Sequence, residues 1–336
     1  MKKRVLCLAA ALLAFCTVAC GKEKTADIAE TAGVRREPGS VMKDGAEETA
    51  AAETEAESES ASSVSWAKKD GGYTYTFPER DDSGMAKVDE MYSFSTAMFE
   101  DQPDDWYFGK TTRNASTGEV TVVWERSQST LDVLEEYNAI YRGDEERKVV
   151  YLTFDAGYEY GTTAKILDVL KEKNVPAAFF VNGHYVESAP HMIRRMLDEG
   201  HIIGNHAVNH YDLTTVGVDT FIEEVEGLED MYYATFPDAP PMVYFRPPSG
   251  NCNEWVLKMT DMMGYRTVLW SWAYKDYDTN AQPDVWSTLE KVKESLHNGC
   301  VYLLHPESQT NADMLGQMID WIRGEGYEIL PLADIK

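Results

Sequence analysis

Two imidazoles stand four residues apart in His206-Ala207-Val208-Asn209-His210. A helical turn or a tight loop could aim both at one divalent ion, and the spacing alone leaves either open. Asp155, in TFDAG, closes an apolar run, where a carboxylate can serve as a general base or cap a following helix. His305 leaves another apolar run, YLLH, as a candidate general acid or a hydrogen-bonded structural histidine. Arg246 opens RPPSG, whose two prolines fix the backbone and make the Ser249 N–H a candidate oxyanion donor. The alternative there is a rigid loop with an ion-paired arginine. Together these groups describe metal-assisted or acid–base hydrolysis of an acyl group. A carboxylate takes a proton from water, a donor steadies the oxyanion and an imidazole protonates the leaving amine. There is no GxSxG elbow, and neither Cys252 nor Cys300 has a nucleophile's setting, which favours water as the nucleophile.

The elements that must position these residues appear after Lys148. Short apolar runs at 149–154, 177–181, 201–205, 242–245, 266–270, 300–304 and 328–332 alternate with segments of helical period. Four of those segments end at Gly200, Gly264, Gly299 and Gly326, a frequent helix stop. Strict alternation predicts an α/β fold with a parallel sheet, either open and doubly wound or closed into a barrel. Asp155, Asn205 with His206, Arg246, Asp276 and His305 each follow a predicted strand. All would therefore meet at the face where parallel α/β proteins carry their sites.

The rest of the chain says where such a site would work. The 336 residues hold 31 Lys+Arg against 57 Asp+Glu, a net charge of −26 that argues against nucleic acid as a partner. Lys2, Lys3 and Arg4 precede an uncharged run from Val5 to Val18, too short to span a membrane and suited to an export signal. It ends in TVAC, which resembles a lipobox and makes Cys20 the expected lipidation site, with an ordinary cleaved signal as the alternative. We expect a signal at 1–20, a flexible acidic tether at 21–65 and an extension at 66–147 packed on a main domain at 148–336. Within the extension, LDVLEEYNAIYRG reads as a helix ending at Gly143.

TFDAG, HAVNH, RPPSG, WSWAYKDY and YLLH, in that order, resemble the five motifs of the polysaccharide deacetylase (NodB-homology) family. The resemblance runs from about Val149 to the C-terminus. It extends along EEYNAIYRGDEERKVVYLTFD and LLHPESQTNADML toward the delta-lactam-biosynthetic branch, which deacetylates N-acetylmuramic acid in peptidoglycan. It implies a distorted (β/α) barrel of about seven parallel strands. Residue by residue, it implies Asp155 as base, His305 as acid, Arg246 lining the groove, and His206 and His210 as ligands of zinc or a similar ion. Ala156 stands where most of the family has a ligating Asp, so the ion is expected to be weakly held. Ala273 likewise replaces the carboxylate that tunes the acid, which leaves Asp276 as a partial substitute, a substrate or oxyanion contact, or a structural residue. The expected substrate is the peptidoglycan glycan strand, the expected state a lipid-anchored monomer on the outer face of the bacterial cytoplasmic membrane. The alternatives are an N-acetylglucosamine or chitin-type deacetylase and a non-catalytic glycan-binding lipoprotein.

Overall fold

The structure, a computed structural model, describes residues 64–69, 72–78, 109–114, 116–117, 120–124 and 126–336. The expected signal, Cys20 and nearly all of the acidic tether lie outside the described residues. Two antiparallel hairpins come first, β1 (Ser65–Lys69) with β2 (Gly72–Thr76), and β3 (Gly109–Arg113) with β4 (Val120–Trp124). Val64, just before the first hairpin, belongs to the main core, and Trp66 and Tyr75 of that hairpin pack against it.

Helix α1 (Gln128–Glu136) starts at Ser127, whose hydroxyl accepts the Thr130 N–H. It stops well short of the expected Gly143. Asn138 adopts a left-handed φ of 51°, a conformation Asn tolerates, and turns the chain. Ile140 then pairs with Val268 as an isolated parallel bridge, so the residues up to Gly143 pad the sheet edge instead of extending the helix.

The regular alternation follows. It comprises β5 (Val149–Ala156), α2 (Thr163–Glu172), β6 (Ala178–Val181), α3 (Gly183–Ser188), α4 (Pro190–Asp198) and β7 (Ile202–Asn205). Next come α5 (Val218–Thr235), β8 (Tyr244–Phe245), α6 (Glu254–Met262), β9 (Arg266–Thr267), α7 (Val285–Ser295), β10 (Cys300–Leu304), α8 (Gln309–Gly324) and β11 (Glu328–Ile329). Helix α3 has no counterpart in the sequence reading, because six residues are too few to show a helical period. The runs at 242–245, 266–270 and 328–332 shorten to two-residue strands.

The sheet is parallel in the order β10-β5-β6-β7-β8-β9, with β11 pairing the first residues of β5. Beyond β9 the chain curls until Trp272 bridges Tyr302 of β10, so a single bridge marks the seam. The product is a curled, incomplete barrel, which is the fold the resemblance implied. Strand β5 is buried from end to end, the pattern of a strand covered on both faces. Gly299 opens β10 at φ 70°, and a Cβ there would meet the Gly143 carbonyl carbon and oxygen at 2.7 Å. Cys252 and Cys300 are both buried, and no disulfide joins them.

Candidate active site

Alternation along β5 puts Thr153 and Asp155 on one face, and both meet Arg246. Arg246 Nη1 donates to Asp155 Oδ1 at 2.6 Å and Nη2 donates to the Thr153 hydroxyl at 2.8 Å. Nε and Nη2 also donate to the carbonyls of Val268 and Leu269, at 3.0 and 3.1 Å. The guanidinium also lies over the Phe180 ring, 4.1 Å from its centre. Arg246 is wholly buried, which corrects the expectation that it lines the groove: it lies under Asp155 as a positioning residue. Burial alone would raise the Asp155 pKa, but Arg246, helped by His206 and His305, holds it below the ordinary carboxylate value.

His206 follows β7 directly, and its Nδ1 lies 2.8 Å from the Arg246 carbonyl oxygen. A carbonyl only accepts, so Nδ1 carries the proton and Nε2 keeps a lone pair. That lone pair faces Asp155 Oδ2 across 3.5 Å, two acceptors with no hydrogen to share. His206 and His210 sit on a loop and not on a helix, with ring centres 4.9 Å apart and planes at 78°. Ala207 and His210 both have left-handed φ, at 62° and 60°. Asn205 Oδ1 holds the Ala207 N–H at 2.9 Å, while buried Glu224 takes the Asn209 N–H and side-chain amide. Burial, the largest influence, pushes the His206 pKa down to about 4, which keeps its ring neutral.

His305 follows β10, and here the structure corrects the reading of Asp276. Its carboxylate is fully buried behind His305, off the groove wall. Oδ1 meets His305 Nδ1 at 2.7 Å, while Oδ2 accepts the His305 peptide N–H at 2.9 Å and the Asn311 amide at 2.6 Å. Asp276 therefore makes no substrate or oxyanion contact. It supplies the tuning carboxylate that Ala273 lacks, from three residues further on. Burial works against a charged His305, but Asp276 outweighs it and raises the pKa to about 9.

These groups open onto a groove of about 1050 Å³ whose wall includes Asp155, His206, His210, Ser249, His305 and Glu307. Ser249 is exposed at its rim with a left-handed φ of 55°. Ala156, fully buried in the apolar core, is not part of that wall. Glu307 was not singled out from sequence, although it stands two residues after the acid. Burial pushes its pKa up to about 7, and among the described residues its Oε2 has no hydrogen-bond partner.

A model of the polysaccharide deacetylase family matches residues 142–268. Peptidoglycan-N-acetylmuramic acid deacetylase PdaA of Bacillus subtilis is 42% identical over 204 residues, 60% of this chain and 77% of that protein. The chain belongs to the polysaccharide deacetylase family. The solved structure of PdaA, a family 4 carbohydrate esterase, aligns with a TM-score of 0.62 at 38% identity, covering 70% of this chain and 98% of that one. A peptidoglycan-N-acetylglucosamine deacetylase of Bacillus cereus is 31% identical over 193 residues, 56% of this chain and 88% of that protein. A CE4 family pseudoenzyme from Bacillus anthracis aligns with a TM-score of 0.55 at 26% identity, over 59% of this chain and 68% of that one. His305 and Asp276 lie beyond the segment that the family model matches.

Whether an ion fits this deacetylase site can be tested on its donors. His206 Nε2 and Asp155 Oδ2 face each other as acceptors with His210 alongside, an arrangement that a cation would relieve. Among the described residues, no group of three or more His, Cys, Asp or Glu side chains forms a complete metal cluster. The donors available are two imidazoles, which would need water to complete the shell of an ion.

Asp276→Asn offers a test of the acid's tuning. With Asp276's charge removed and burial unchanged, the His305 pKa should fall from about 9 to the ordinary histidine value near 6.5 or below. The alkaline limb of kcat/KM should move down by a similar amount. An unmoved limb would mean that another group supplies the proton.

Proposed function

We propose that the chain hydrolyses the N-acetyl amide of peptidoglycan amino sugars, N-acetylmuramic acid foremost, to acetate and a free amine. One observation carries this reading: Asp155, held by Arg246 Nη1 at 2.6 Å, and His305, held by the Asp276 carboxylate at 2.7 Å, line the same groove, so that the guanidinium favours a charged carboxylate and the carboxylate a protonated imidazole. Opposite biases in one site assign base and acid at neutral pH. Asp155 takes a proton as water attacks the acetyl carbonyl, and the Ser249 N–H is the candidate donor to the oxyanion. His305, steadied through Nδ1 by Asp276, passes its Nε2 proton to the leaving amine. Arg246 keeps Asp155 ionised and oriented, at the expense of basicity. A divalent ion on His206 and His210, zinc or similar, would polarise the acyl oxygen and acidify the water that so weak a base must deprotonate. With no carboxylate at 156, such an ion would be weakly held.

The likeness to PdaA supports muramic acid as the sugar, and the Bacillus cereus relative supports N-acetylglucosamine as the alternative. Acetate release from purified glycan strands, with and without chelator, tests the reading. Release that chelation lowers supports it in full; binding of the strands without acetate supports a glycan-binding protein instead.

The same proposal puts the catalytic domain at 148–336, with the extension 66–147 against it and the acidic tether 21–65 joining it to a lipid on Cys20. The protein would then act as a monomer on the outer face of the cytoplasmic membrane. Cys20→Ala should move it from the membrane fraction to the soluble fraction with the domain's activity kept. A variant that still pellets after a salt wash would show that another group is the anchor.

A further inference from the structure

The loop from His206 to His210 is held in a shape that its own residues do not favour. Ala207 and His210 have left-handed φ, a conformation that costs energy in residues with a Cβ unless the surroundings impose it. The restraint comes chiefly from α5, and from one residue of it. Glu224 Oε2 accepts the Asn209 peptide N–H at 2.8 Å, and Oε1 accepts the Asn209 side-chain amide at 2.6 Å. The Glu224 peptide oxygen accepts the Val208 N–H at 3.0 Å. Donors from the two residues just before His210 thus converge on one glutamate. From the other side, the Gly183 N–H donates to the Val208 carbonyl oxygen at 3.1 Å, and a Cβ at Gly183 would meet that oxygen at 2.9 Å. Gly227 stands about one turn beyond Glu224 on α5, and a Cβ there would come within 3.2 Å of Val208 Cγ2.

Glu224 is 3% exposed, and among the described residues no Lys or Arg pairs with it. A carboxyl group buried without a cation is a poor choice for stability alone, since an apolar side chain of similar volume serves a helix face better. What only an acceptor can supply is the hold on Asn209. That hold fixes the chain between two imidazoles whose ring centres are 4.9 Å apart. A site with two protein donors has little affinity to lose, so it depends on both rings being in place before the ion arrives. We propose that Glu224 is the positioning residue of the His206–His210 pair. By clamping Asn209 it keeps both imidazoles aimed at one ion. The inference rests on the metal reading above.

The test is a calorimetric titration with zinc, at a temperature where circular dichroism shows each protein folded, with His206→Ala giving the background uptake. Glu224→Ala should bind zinc about 10–100-fold more weakly than the native protein, the usual cost of losing a residue that orients a metal ligand. Asn209→Ala, at an exposed position, removes one bond of the clamp and should loosen zinc in the same direction by less. Glu224→Gln should stay close to native. Its oxygen can accept the Asn209 N–H, and its amide can donate to Asn209 Oδ1 once that side chain flips. A merely structural role would lower the melting temperature of Glu224→Ala and leave the zinc affinity of the folded protein unchanged. That result overturns the role of Glu224 while the metal and deacetylase readings stand. Should Glu224→Ala not fold, Asn209→Ala decides, and native zinc affinity there overturns the clamp. Glu224→Gln binding as weakly as Glu224→Ala also overturns it, because charge would then be what Glu224 supplies. A native protein that takes up no more zinc than His206→Ala overturns the metal reading and this inference with it.

Discussion

Asp155→Asn is expected to lower acetate release by about 10²–10⁴-fold, the usual contribution of a positioned general base. The amide cannot take a proton from water at neutral pH, yet its oxygen can still accept from Arg246 Nη1, which reaches Asp155 at 2.6 Å in the native protein. The fold should therefore be kept while stability drops, because Arg246 loses its counter-charge in a fully buried position. Rates are best compared below the variant's own melting transition, with circular dichroism checking that it is folded. A folded variant retaining more than about a tenth of native activity would take the base role from Asp155.

Arg246→Met should produce the largest loss of stability at the site, about 3–5 kcal/mol at neutral pH, the range seen when one partner of a buried ion pair is removed. The substitution strands the Asp155 carboxylate and removes the donors to Thr153, Val268 and Leu269. The sign of the pH dependence follows from Asp155. In the native protein its pKa is depressed, so its pairing stabilises above the unfolded value near 4 and is lost as pH falls through the lower folded value. In Arg246→Met the desolvation remains without the counter-charge, so the folded pKa rises above the unfolded one. The variant is then penalised above about pH 4 and relieved below it. Denaturant midpoints of both proteins at neutral and at acid pH check this. The gap should narrow in acid, and a gap independent of pH would mean that packing over Phe180, not the charge pair, is what Arg246 provides.

Residues whose position depends on strand ends were legible in the sequence. Asp155, His206, Arg246 and His305 all stand at the carboxyl ends of strands, where the alternation put them. What could not be read was direction. Arg246 follows β8 as expected, but its side chain runs under the base because Thr153 and two carbonyls offer it partners that belong to other strands. The pairing of Asp276 with His305 spans 29 residues and is set by Asn311 on a third element, so no local spacing announces it. The loop geometry of His206 and His210 was open for a related reason: what excludes the helix is Glu224, on α5, holding Asn209. Residues up to Gly143 carried helical periodicity, yet Ile140 is claimed by the edge strand through its bonds to Thr267 and Leu269. In each case a tertiary partner overrode a local pattern.

The central claim is that this groove removes acetyl groups from muramic acid. Mass spectrometry of the sugars released from peptidoglycan after incubation with the native protein, and with Asp155→Asn, addresses it most directly. The account predicts loss of one acetyl group from muramic acid residues with the native protein and intact N-acetylmuramic acid with the variant. Acetyl groups lost from glucosamine residues alone, or fully acetylated sugars from both proteins, would contradict it.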